Sequence, residues 1–177
     1  MKIGIYVGSF NPVHLGHIDT ANKLIENNYV DKVYIVPTLG YWNKHNLAPL
    51  KNRIEMLKLV SNNNIIIDDT NNKLEFTYQI MDKYHTLMPD DEIRLIIGAD
   101  NLLDFKKWKN YEKLLNYGVI VVKRDNYDIS DYNFYNVTKA LINPIQISST
   151  EIRNNNEIRR KYLNPKVLKY IYDNKLY

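Results

Sequence analysis

The sequence predicts an α/β protein: one doubly wound parallel sheet with helices on both faces, formed by residues 1–177 as a single domain. Three observations carry this. Short β-branched runs alternate along the chain with segments whose apolar residues recur at helical spacing. The first strand leads through a glycine-bearing turn directly into a helix. A second helix start, with its own capping pattern, follows the last long apolar run.

The first strand is Lys2-Ile3-Gly4-Ile5-Tyr6-Val7, where Ile3, Ile5 and Val7 alternate with smaller or polar-tipped residues. The turn Gly8-Ser9-Phe10-Asn11-Pro12-Val13-His14-Leu15-Gly16-His17 follows. Ile18, Ala21, Leu24 and Ile25 then predict a helix from about Leu15 to Glu26. A helix N-terminus offers unpaired N–H groups and partial positive charge, so this turn is a phosphate seat. Gly8 is expected to turn the backbone sharply, and Gly16 to let a bulky ligand pass close to the helix. His14 and His17, three residues apart, fall on one face of the first turn, where both can address the same phosphate.

Val33-Tyr34-Ile35-Val36 is the second strand, which completes a right-handed βαβ unit. The long loop from Pro37 to Pro49 lies after its carboxyl end, where ligands sit in open α/β sheets. Lys44 in that loop is a candidate phosphate contact, with plain solvation the alternative. A helix from about Pro49 to Ser61 carries Leu50, Ile54, Leu57 and Val60. Arg53 stands in its first turns, where a cation is unfavourable, so it reads as a contact to an anionic partner or as a surface ion pair with Glu55.

Ile65-Ile66-Ile67 is a buried strand, and Asp68-Asp69 after it read as a turn with side-chain-to-backbone bonds. A helix from about Phe76 to Leu87 buries Ile80, Met81 and Tyr84 and stops before Pro89. Ile93 to Ile97 form the next strand, closed by Gly98-Ala99-Asp100. The small pair lets a flat ring approach the backbone, while Asp100 accepts from a ribose hydroxyl or caps the next helix. Trp108 offers an aromatic face for stacking, or half-buried core. Val119 to Val122 read as a central strand covered on both faces, closed by Lys123-Arg124-Asp125. Residues 126–139 show no period and read as an irregular excursion, and Pro144 to Ile147 as a last extended piece. Ser148 and Glu151 form a capping box that starts a helix at Ser149 and makes a second phosphate seat, with Arg153 projecting from its first turns. Asn164, Pro165, Val167, Leu168 and Ile171 predict a final capped helix.

Composition narrows the classes. Hydrophobic residues are 45% and charged residues 25%, ordinary for a globular protein. No apolar run approaches the roughly 18 residues of a membrane span. The start Met1-Lys2-Ile3-Gly4 enters a strand at once, which leaves no room for a signal peptide, so a cytoplasmic protein is expected. The chain has no cysteine, which excludes disulfides, thiolate nucleophiles and cysteine-based zinc sites. The net charge of +4 comes without a basic block, so neither a nucleic acid nor a membrane is expected as partner.

The first turn resembles the signature of the nucleotidylyltransferase superfamily, G-x-F-[DN]-P-x-H-x-G-H, at every fixed position: Gly8, Phe10, Asn11, Pro12, His14, Gly16 and His17. The second helix start resembles that superfamily's I-S-S-T-x-I-R signature, from Ile147 to Arg153. Phe76-Thr77-Tyr78, Gly98-Ala99-Asp100 and Trp108 make the chain look most like bacterial nicotinate-nucleotide adenylyltransferases. It departs from them in having Phe76 where tyrosine is usual and Tyr41-Trp42-Asn43-Lys44 where Pro-His-Lys is usual.

The resemblance implies a Rossmann-like fold and transfer of AMP from ATP to nicotinic acid mononucleotide in NAD biosynthesis, with nicotinamide mononucleotide open as a second acceptor. It implies His17 on the α-phosphate and His14 on the β,γ-phosphates. Lys44 and Arg153, helped by Ser149 and Thr150, would neutralise pyrophosphate. Gly8, Ser9, Phe10, Gly98, Asp100 and Ser148 complete the ATP site, and Asn11, Phe76, Thr77 and Trp108 the acceptor site. Mg²⁺ is expected to travel with ATP. The rivals are a pantetheine-phosphate adenylyltransferase and a nucleotide-binding sensor without turnover. A homo-oligomer stays open.

Overall fold

The structure, a computed structural model, describes residues 1–40, 47–71 and 73–177. Its frame is a parallel sheet with strand order β3-β2-β1-β4-β5-β6. The strands are β1 (Lys2–Gly8), β2 (Lys32–Pro37), β3 (Ile65–Ile67), β4 (Glu92–Gly98), β5 (Val119–Val122) and β6 (Val137–Ala140). The helices are α1 (Leu15–Glu26), α2 (Leu50–Lys58), α3 (Thr77–Leu87), α4 (Ala99–Leu103), α5 (Tyr111–Tyr117), α6 (Ser149–Asn154), α7 (Asn156–Tyr162) and α8 (Pro165–Asp173).

Alternation along the strands explains the two layers. In β1, Ile3 and Ile5 face one core with Ile80 and Met81 of α3 and Leu114 of α5. Tyr6 faces the other, with Ala21 and Leu24 of α1, Met56 of α2 and Val167 of α8. β5 repeats the pattern, with Val119 and Val121 on the first face and Ile120 and Val122 on the second. The sheet is thus covered on both sides, as near-continuous apolar strands require. β5 is an interior strand rather than a central one; β1 and β4 hold the middle.

The chain passes from β1 outward through β2 to β3, then returns to place β4 on the other side of β1. β1 and β4 therefore border the point where the strand order reverses, and there the carboxyl ends splay and leave a crevice.

The polar stretch before residue 140 holds a strand that the sequence reading missed. β6 pairs with β5 from Val119↔Val137 to Val122↔Ala140. It is a four-residue edge strand, three of whose side chains are only partly buried, so no alternation marks it. Residues 144–147 form no strand. Their backbone is served by α1 instead: the Ile145 N–H donates to Asp19 Oδ2 at 2.7 Å, and Lys23 Nζ donates to the Asn143 carbonyl at 2.6 Å.

Candidate active site

A cavity of about 1050 Å³ opens over the carboxyl ends of the strands, touching Gly8, Thr38 and Gly98. Its floor begins with the turn after β1. The backbone takes its left-handed step at Phe10 (φ +45°) and not at Gly8. A bulky residue there costs of order 1 kcal/mol or more. Phe10 is held by burial at 2% exposure, with its ring edge-on to Tyr6 at 5.4 Å and to His17 at 4.9 Å. The Asn11–Pro12 peptide that follows is cis.

His14 is the N-cap residue of α1, and its ring stacks on that of His17 at 3.7 Å. The His14 backbone N–H donates to His17 Nδ1 at 3.2 Å. An accepting Nδ1 puts the proton of a neutral imidazole on Nε2. Both rings are held neutral. Burial pushes His14 down to about 3, with the Arg124 charge adding to it. Burial, the neighbouring His14 and Arg124 together push His17 well below the ordinary histidine range. His17 lines the cavity, whereas His14 is 3% exposed and lies behind it.

The second helix start lies against this turn. Ser148 accepts from the Glu151 N–H at 3.2 Å, and its own N–H and hydroxyl donate to Glu151 Oε2 at 2.9 and 2.7 Å. The Ser148 hydroxyl is therefore committed to the cap. Ser149 Oγ donates to the Pro12 carbonyl at 3.0 Å, and Ser149 lines the cavity. Arg153 Nη1 donates to the Asn11 carbonyl at 2.7 Å, and Nη2 to Thr150 Oγ1 at 3.2 Å. Arg159 supports this from below, with Nη2 donating to the Arg153 carbonyl at 2.8 Å.

Gly16 explains how the two segments come so close. A Cβ there would stand 2.8 Å from the Ile145 carbonyl oxygen and 2.9 Å from Ile147 Cγ2. The glycine makes room for the chain leading into α6, not for a ligand as the sequence suggested.

Arg53 is also corrected. Among the described residues it forms no pair with Glu55, and its guanidinium is turned to backbone carbonyls. It is 1% exposed and donates from Nε to the Ala48 carbonyl at 2.9 Å, and from Nη1 to the Ser9 and Thr38 carbonyls at 2.8 Å each. Asn11 Oδ1 accepts from the Ala48 N–H at 3.0 Å and from the Tyr177 hydroxyl. Thr38 and Ala48, on either side of the long loop, are thus pinned to the turn after β1. Lys44 and Trp42 lie outside the described residues.

The ends of β4 and β5 form another wall. Asp100 does not cap α4; its Oδ1 stands 4.0 Å from Nε of Arg124. A Cβ on Gly98 would meet that carboxylate at 2.3 Å and Arg124 Nε at 3.2 Å, so the glycine gives these two side chains their room. Arg124 lines the cavity and escaped the sequence reading, although Lys123-Arg124 ends a parallel strand just as Gly98-Ala99-Asp100 does. Phe76, Thr77 and Trp108 line the far side. Trp108 packs on Phe105 at 5.4 Å and also lines the cavity. Among the described residues no group of three or more His, Asp or Glu side chains could hold a metal ion, and no helix is long and apolar enough to cross a membrane.

A cavity at the strand-order reversal, flanked by two helix N-termini and lined by a histidine and an arginine, defines a nucleotide-handling α/β site. The cytidylyltransferase-like family model matches residues 5–155. A protein of Flavobacterium psychrophilum named "Probable nicotinate-nucleotide adenylyltransferase" is 36% identical over 100% of this chain and 99% of its own. One of Acholeplasma laidlawii with the same name is 33% identical over 98% and 96%. The chain belongs to the cytidylyltransferase-like family and, within it, to the nicotinate-nucleotide adenylyltransferases. The fold is shared with the Plasmodium falciparum nicotinic acid mononucleotide adenylyltransferase complexed with NaAD, with a TM-score of 0.83, 23% identity and coverage of 99% and 96%.

Proposed function

We propose that residues 1–177 act as one domain that transfers the adenylyl group of ATP to nicotinic acid mononucleotide and releases pyrophosphate, a step of NAD biosynthesis. The observation that carries this reading is the 2.7 Å bond from Arg153 to the Asn11 carbonyl, which ties α6, whose Ser149 lines the cavity, to the turn after β1. An oxygen of the mononucleotide 5′-phosphate attacks the α-phosphorus of ATP. A new P–O–P bond forms as the bond to the β-phosphate oxygen breaks, and the electron pair leaves on pyrophosphate. No protein nucleophile is needed. The chain supplies position and charge.

His17 donates from Nε2 to the α-phosphate, and His14 fixes the His17 ring from behind by stacking and by its backbone N–H. The β,γ-phosphates, which the resemblance assigns to His14, fall to the α6 start. Ser149 and Thr150 meet the leaving pyrophosphate there, with the charges of Arg153 and Lys44. Ser148 serves by forming the cap that orients those N–H groups. Gly8, Ser9 and Phe10 shape the turn under the triphosphate. Gly98 and Asp100 take the adenosine side with Arg124. Phe76, Thr77 and Trp108 receive the acceptor, and Asn11 holds the two seats together. ATP enters as its magnesium complex, with the ion carried by phosphate oxygens and water.

The test is an acceptor panel: ATP with nicotinic acid mononucleotide, nicotinamide mononucleotide or phosphopantetheine, with pyrophosphate release followed. Release with a pyridine mononucleotide is expected. Release with phosphopantetheine alone, or tight ATP binding without release from any acceptor, would overturn the reading.

A further inference from the structure

The far wall of the cavity carries an excess positive charge. Lys107 lines it but is paired with Asp104, Nζ to Oδ1 at 2.5 Å. Lys113 nearby is paired with Asp82 at 2.6 Å, and Lys106 turns to the Phe134 ring at 5.7 Å. Lys109 is different. It lines the cavity beside Trp108, and its Nζ lies 4.2 Å from the centre of the Phe76 ring, itself a cavity residue. Among the described residues no carboxylate pairs with it. The contact with Phe76 holds the ammonium at the wall by attraction to the ring face, which leaves its donors unneutralised.

The setting suits one kind of group. Phe76 and Trp108 offer apolar faces to a flat heteroaromatic ring. Thr77 starts the eleven-residue helix α3 and lines the same wall. A ring carrying a carboxylate satisfies the ammonium; a ring carrying a carboxamide leaves it facing a neutral group. We infer that Lys109 is a specificity-determining residue, which selects an acceptor whose ring bears a carboxylate over one bearing a carboxamide. This deepens the adenylyl-transfer reading and rests on it. It also gives Phe76 a job beyond stacking, as the ring that positions the cation.

The test compares wild type, Lys109→Gln and Lys109→Arg with ATP and either nicotinic acid mononucleotide or nicotinamide mononucleotide. An ion pair at an open cavity wall is worth a modest factor, so the ratio of the KM for nicotinamide mononucleotide to that for nicotinic acid mononucleotide should fall about fivefold in Lys109→Gln. The change should appear in KM for the carboxylate acceptor, with kcat within about twofold. Lys109→Arg should restore the ratio, and added salt should raise that KM in wild type more than in Lys109→Gln. A merely structural role would shift both acceptors together. An unchanged ratio in folded Lys109→Gln, with wild type still active, would overturn the inference alone. A wild-type protein that takes neither acceptor would overturn the underlying reading and the inference with it.

Discussion

Arg153 and Asn11 are 142 positions apart in the chain, yet the guanidinium of one donates to the carbonyl of the other at 2.7 Å. Each belongs to a helix start that on its own would be an ordinary phosphate seat. Joined, they form one surface. The same guanidinium reaches Thr150, and the bond from Ser149 Oγ to the Pro12 carbonyl adds a second tie between the two segments.

Arg153→Ala should therefore lose both a charge and a tie. We expect pyrophosphate release to fall by about 10²-fold, the usual cost of one well-placed charged contact. Arg153→Lys keeps the charge but cannot make both bonds, so it should recover only part of the rate. Steady-state kinetics with thermal melts will separate this from unfolding.

Gly16→Ala places a methyl group against the Ile145 carbonyl, where the nearest atom is backbone. The chain leading into α6 must move. We expect a stability loss of about 1–3 kcal/mol and a fall in turnover larger than that loss explains, because the seats separate. Chemical denaturation and pyrophosphate release measure the two.

Arg53 holds three carbonyls in a buried setting. Arg53→Met should cost at least about 3 kcal/mol, since those acceptors lose their donors. Activity should fall as well, as Ser9 and Thr38 are freed from each other. Lysine cannot span three acceptors, so Arg53→Lys should rescue little.

Acid should destabilise the protein through His14. Its folded-state value is pushed from 6.5 down to about 3 by burial. Below pH 6.5 the unfolded chain gains a proton that the folded chain refuses, so stability is full above that pH and falls as the pH drops toward 3. At about pH 4.5 the loss is on the order of 3 kcal/mol. Denaturation midpoints across this window should slope less in His14→Gln than in wild type.

Much of this was legible in the sequence. The strand-turn-helix at the start and the Ser148–Glu151 capping box are local, and local chemistry fixes them. The alternation of short apolar runs with helical stripes gave the layered sheet, as confirmed in the order of its strands. What escaped depends on tertiary contact. Arg53 looks like a surface cation until the feet of the long loop close around it. Gly16 looks like a ligand approach until another part of the chain fills the space. The edge strand β6 is defined by its partner β5, not by its own pattern. Arg124 is a strand-ending cation, which has no signature of its own.

The central claim is that the two helix starts act on one triphosphate, with His17 at the reacting phosphorus. The direct test is single-turnover pyrophosphate release from ATP and nicotinic acid mononucleotide by His17→Ala. The account predicts a protein that melts like wild type and is slower by at least about 10²-fold. A folded His17→Ala protein turning over at the wild-type rate would contradict it.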